Sequence, residues 1–188
     1  MRQILMILSV VVFCLGGKAR ADCPELADNG VELQNLIALA QGAENVRDGQ
    51  RLSNLMWQVW LRAPDEAAQA VLDAGMQRRD VFDFVGAIRA FDQLVEYCPK
   101  YAEGYNQRAY IRFLNGNHEK ALGDLDVALS LQPYHVAAQS GRALTLMNLG
   151  RIAEARAQLL IAVENNPWLS EAALLADGAP LGRSDKEL

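Results

Sequence analysis

The sequence predicts an all-α solenoid of stacked helix-turn-helix units, and three observations carry that prediction. Prolines stand at Pro99, Pro133 and Pro167, 34 residues apart both times. Four more series keep the same period: Gly75, Ala109 and Ala143; Ala87, Ala121 and Ala155; Phe91, Leu125 and Leu159; Leu94, Ala128 and Ala162. Within a period, two apolar stripes at helical spacing flank a breaker, Asn115-Gly116-Asn117 in one unit and Leu149-Gly150-Arg151 in the next. A fixed period of this length marks supersecondary units that contact only their neighbours, not one closed core.

The elements follow in order. Residues 1–21 read as a cleavable secretory signal: Arg2 gives a positive start, Ile4 to Leu15 is an apolar run of 12 residues, and Ala19-Arg20-Ala21 supplies the cleavage pattern. The run is too short for a bilayer core of about 30 Å, so no stable membrane insertion is expected after cleavage. Residues 22–67 hold a tail and a helix pair. Val31 to Gln41 carries Leu33, Leu36, Ile37 and Ala40, and Gln50 to Arg62 carries Leu52, Leu55, Met56, Val59 and Trp60, both at helical spacing. Pro64 precedes Pro99 by 35 residues, consistent with a degenerate first unit.

Three units then occupy 68–101, 102–135 and 136–169, together 68–169. In the middle one, Ala102 to Leu114 forms a first helix, which Gly116 ends by tolerating the left-handed conformation. Glu119 to Leu131 forms a second helix, stopped by Pro133. In the first unit the turn lacks glycine and carries Phe82 at the equivalent place. Small residues recur where neighbouring helices must approach closely. After Pro167, residues 170–178 read as a capping helix closed by Gly178, and 179–188 as a disordered tail.

The repeated small residue of each first helix, the alanine opening each second helix, the large and small residues after it and the closing proline resemble the tetratricopeptide repeat family. The likeness covers about 102 residues and implies a right-handed superhelical solenoid. The chain departs from the family's pattern at Val71 and Gln139, where an aromatic is usual, and at Arg112, where tyrosine is common. The resemblance further implies a concave groove lined by first helices. Its residues here would be Leu72, Met76 and Arg79; Asn106, Tyr110, Phe113 and Leu114; and Ser140, Leu144, Met147 and Asn148. Some members clamp a terminal carboxylate with lysine, arginine and asparagine. Only Asn106 matches that mode, and Tyr110 and Leu144 stand where asparagine would help.

Composition narrows the function classes. The net charge is −5, and losing Arg2, Lys18 and Arg20 with the signal takes it to −8, which does not suit nucleic acid. Asn-x-Ser/Thr is absent throughout, which fits a bacterial periplasm. Cleavage leaves Cys23 and Cys98. An even count in an oxidising compartment points to a disulfide, the alternative being two thiols with Cys98 packed as a small hydrophobe. His118 and His135 are the only histidines, with no ligand at metal spacing, and both read as solvated turn residues. Asp124 and Asp126 read as a solvated helix face, and Arg108, Arg112 and Arg142 as structural partners for Glu103, Asp124 or Asp126, the alternative being that they bind an acidic partner. Neither nucleophile motif nor phosphate loop is present. The expectation is a periplasmic, non-catalytic module without cofactor or metal that holds a protein segment or peptide. The alternative is a subunit that self-associates into a homo-oligomer through Trp57 or Trp60.

Overall fold

The computed structural model describes residues 22–182, so the signal and the last six tail residues lie outside it. Eight helices follow in order: α1 (Gly30–Gln41), α2 (Val46–Trp60), α3 (Glu66–Asp80), α4 (Phe84–Tyr97), α5 (Ala102–Leu114), α6 (His118–Leu131), α7 (Val136–Asn148) and α8 (Ile152–Asn165). The pairs α3–α4, α5–α6 and α7–α8 are the three predicted units, and each packs on the next. No helix among the described residues is long and apolar enough to cross a membrane.

Local chemistry sets the ends. The side chains of Asn45, Asp65 and Asp83 accept from the N–H groups of Asp48, Ala68 and Gly86, satisfying donors that a helix start leaves free. The three intra-unit turns share one geometry. Asn117 N–H donates to Arg112 O at 2.8 Å, Arg151 N–H to Leu146 O at 3.0 Å and Asp83 N–H to Arg78 O at 2.8 Å. This long-range closure needs a left-handed residue, which is Gly116 (φ 72°), Gly150 (φ 73°) and Phe82 (φ 61°). The period also fixes the packing. A Cβ on Gly75 would sit 2.4 Å from the Phe91 ring, and Ala87, Ala121, Ala155, Ala128 and Ala162 are fully buried at the crossings.

The structure corrects three expectations. The capping helix expected over residues 170–178 is shorter, a single 3-10 helix over Ser170–Leu175. Residues 179–182 are packed: Leu181 is fully buried under α8, and its carbonyl accepts from Arg156 at 2.7 Å. Above all, α1–α2 does not stack on α3 as a preceding unit would. Its core of Leu33, Ile37, Ala40, Leu52, Met56, Val59 and Trp60 closes on Val136, Ala137, Trp168 and Leu169, at the other end of the solenoid.

The positions it touches obey the 34-residue register. Trp60 O accepts from the Tyr101 hydroxyl at 2.7 Å, and the Trp60 ring stacks on His135, the residue equivalent to Tyr101. Gln132 donates to Asn29 at 2.9 Å, and its equivalent Asn166 donates to Ser53 at 2.8 Å. The helix pair therefore runs along the rim formed by the starts of successive first helices. The tail before α1 is held at the opposite end, where Cys23 and Cys98 form a disulfide with a Cα–Cα distance of 5.1 Å.

Candidate functional site

Placing α2 across this rim turns part of the open surface of the first helices into a cavity of about 860 Å³. One wall is α2, with Ser53 and Trp57 facing inward. The opposite wall is α5 and α7, with Asn106, Tyr110 and Phe113 from the first and Ser140, Leu144 and Thr145 from the second. Arg79 and Asp80 from the end of α3, and Trp168 and Glu171 from the C-terminal segment, complete it. Tyr110 remains 49% exposed and Trp57 37%, so aromatic surface is available from both walls.

Of the expected groove residues, Arg79, Asn106, Tyr110, Phe113, Ser140 and Leu144 line the cavity. The others do not. Leu72 is fully buried in the core of the first unit and Met76 packs against the same core, because those positions of α3 turn toward α4. Met147 packs against the third unit, Leu114 is exposed, and the Asn148 amide donates back to Leu144 O. Asn106 is only 7% exposed, and its amide donates to Glu103 at 3.0 Å, so it lines the wall already partnered.

Beneath the cavity floor is a polar cluster that sequence reasoning misread. His135 is not a solvated turn residue: it is fully buried and lies 2.8 Å from Glu103, itself 1% exposed. Its Nδ1 accepts from Ala138 N–H at 3.3 Å and so caps α7. A ring nitrogen that accepts leaves the proton on the other, so Nε2–H donates to the carboxylate. Glu103 also accepts from Asn106 and Gln107, and Trp60 covers the imidazole at 4.4 Å and 12°. Both ring nitrogens are engaged and the face is covered, so the pair braces α5, the start of α7 and α2 against one another. Nearby, burial pushes the Tyr101 phenol well above its ordinary range, with Glu103 adding to the effect.

The expected ion pairs form on Asp124 and Asp126, and not on Glu103. Asp124 is 4% exposed, not solvated, and binds both Arg108 (2.6 Å) and Arg112 (2.6 Å). Arg108 also reaches Asp92 at 2.8 Å in the preceding unit, and one period later Arg142 reaches Asp126 at 2.7 Å. The lining cation Arg79 is tied to Asp80 at 2.8 Å and to Gln107 at 2.9 Å. Among the described residues no cluster of His, Cys, Asp or Glu is arranged to hold a metal ion. The residues missed by sequence, Ser53, Gln107, Thr145, Asn166, Trp168 and Glu171, carry no local signal. They meet only because α2 folds back over the repeats.

Comparison with known proteins identifies the repeat. The tetratricopeptide repeat family model matches residues 72–136 and 115–167, a span covering half of the chain. A TPR repeat-containing protein of Rhizobium etli is 38% identical over 64 residues, 34% of this chain and 31% of that protein. A tetratricopeptide repeat protein 36 homolog of Nematostella vectensis is also 38% identical over 64 residues, 34% of this chain and 35% of that protein. The chain thus spans about a third of the length of these relatives. Among solved structures, the first TPR of Spaghetti bound to the HSP90 peptide SRMEEVD superposes with a TM-score of 0.55, at 21% identity over 56% of this chain and 84% of that one. The TPR2B domain of yeast Sti1, in complex with an Hsp70 peptide, gives 0.55 at 21% identity over 58% and 90%. MamA gives 0.50 at 18% over 75% of each chain. At these identities the superpositions show a common fold.

Proposed function

The chain belongs to the tetratricopeptide repeat family, and we propose that it is an exported, periplasmic, non-catalytic module that holds an extended segment of another protein between α2 and the first helices of its repeats. The cavity carries this reading. Trp57, Tyr110, Phe113 and Leu144 offer apolar area, while Ser140 places a neutral polar group along the same wall. Aromatic side chains bury large area with few rotors to freeze, and neutral polar groups pair with peptide N–H and C=O groups without the cost of stripping water from a charge. Proteins of the same fold hold peptides of HSP90 and Hsp70, which supports a peptide occupant here.

The occupant is a neutral stretch of chain in preference to a free carboxylate. Arg79, the cation on the wall, is already engaged by Asp80 and Gln107, and Asn106 by Glu103. Self-association through Trp57 and Trp60 finds less support, since Trp60 is 3% exposed and Trp57 faces the cavity. The test is a crosslinking pull-down from the envelope fraction, followed by calorimetry with the captured segment. Tyr110→Ala is expected to weaken binding by more than about 1 kcal/mol while leaving stability nearly unchanged, because its side chain is half exposed. Unaltered affinity would remove this wall as the site.

A further inference from the structure

We propose that α1–α2 is a hinged flap, which opens about the first repeat and thereby controls access to the cavity. The inference rests on the groove reading for its purpose, but its evidence is in how the helix pair is attached. Both covalent routes into the pair are anchored on the first unit. At the N-terminal side, the Cys23–Cys98 disulfide joins the tail to the end of α4. At the C-terminal side, the linker between α2 and α3 packs Leu61 and Ala63 on that unit's core, together with Leu26 of the tail. The body of the pair lies elsewhere, against the start of α7, α8 and the segment beyond.

The far contacts have the character of a latch. The Gln41 amide donates to Glu164 O at 2.7 Å, Trp168 Nε1–H donates to Ala40 O at 2.8 Å, and Asn166 donates to Ser53 at 2.8 Å. All three join neutral groups that water can replace, so breaking them strands no charge. The apolar part of the latch sets the core of the pair on Val136, Ala137, Trp168 and Leu169. Its tightest seat is Trp168 on Gly49, where even a Cβ would come within 2.1 Å of the indole ring. Glycine inside a helix weakens that helix. Here it makes room for the latch, which marks the seat as a requirement of closure and not of helix formation. Among the described residues, the Trp60 Nε1–H is buried with no protein hydrogen-bond partner in the closed arrangement. A stranded donor opposes the closed state, and opening returns it to solvent.

Gly49→Ala separates the flap from ordinary stability, because alanine strengthens α2 while its methyl unseats Trp168. Native-state hydrogen exchange on the oxidised protein reads the opening without any ligand. In the parent, amides of α1 and α2 should exchange at least about tenfold faster than those of α5 and α6, as a unit that opens before the rest unfolds. Gly49→Ala should speed exchange of α1 and α2 alone. It should also raise fluorescence of the apolar dye ANS, as Phe113 and the covered parts of Trp57 and Tyr110 gain exposure. Trp168→Phe, which keeps an aromatic ring on Gly49 and deletes the bond to Ala40, is the milder second variant and should act in the same direction.

A single exchange rate shared by α1–α2 and α5–α6, moving together in both variants, would overturn the flap. Faster α1–α2 exchange with unchanged ANS signal would overturn its control of the cavity. Failure of Tyr110→Ala to alter partner binding would leave these exchange results standing and remove only the peptide reading.

Discussion

Phe82 occupies a place where the other two units use glycine, at φ 61° against 72° and 73°, and it is 79% exposed. A side chain in the left-handed region costs about 1–2 kcal/mol through the clash of Cβ with the backbone. The hydrogen bonds of the turn are the same in all three units, so the turn itself does not require phenylalanine. What the ring gains is an edge contact with Phe84 at 6.0 Å. Phe82→Gly removes the strain but gives the unfolded chain more freedom, an offset of about 0.5–1 kcal/mol. The expected result is a net stabilisation of roughly 0.5–1 kcal/mol in urea titration, with an unchanged slope. A loss of stability would show that the contact with Phe84 outweighs the strain. The substitution at Phe82 was legible as a break in the glycine series, but its cost is not, because a sequence carries no dihedral angles.

At the scale of the element, the repeat was legible to within a residue. α5 spans Ala102–Leu114 and α6 His118–Leu131, because a breaker and a proline bound each unit and the apolar stripe is unambiguous. The charge ladder was written with the same period, though only its existence was read. Arg108 with Asp92, and Arg142 with Asp126, are one interaction repeated 34 residues on, each joining a first helix to the second helix of the preceding unit. The buried brace was not legible, since His135 is shielded by Trp60, which belongs to a different part of the chain. Within the ladder, burial ranks the contributions. Asp126 is 52% exposed, so Asp126→Ala should cost no more than about 1 kcal/mol and lose that effect in high salt. Asp124 is 5% exposed at its side chain and holds two guanidinium groups, so Asp124→Ala should cost about 3 kcal/mol, with little salt dependence. Equal effects of the two substitutions would mean that the Asp124 site is wetter than its burial indicates.

Across the whole molecule, the departure from a simple solenoid comes from one choice: which surface the N-terminal helices cover. Their amphipathic stripes predicted that they pack, but a stripe does not name its partner, and here the partner is the rim of the last two units. The disulfide is what ties this arrangement to the first unit. Cys23 and Cys98 are 75 residues apart, and the loop between them contains α1, α2, α3 and α4 entire. Closing such a loop restricts the unfolded chain far more than the folded one, by about 4.5 kcal/mol in the chain-entropy model. Labelling of the denatured, unreduced protein should find neither thiol free. Reduction should then lower the urea midpoint, and the loss should fall unevenly. α1–α2 loses one of its two anchors, whereas α5–α8 keep every contact with their neighbours, because stacked units derive their stability from adjacent units. Exchange in α1–α2 should accelerate first on reduction, with α5–α8 following only near the global midpoint. If both thiols label without reduction, or if reduction leaves the midpoint unchanged, the bond does not hold the N-terminal helices in place and the linker after α2 is their sole anchor.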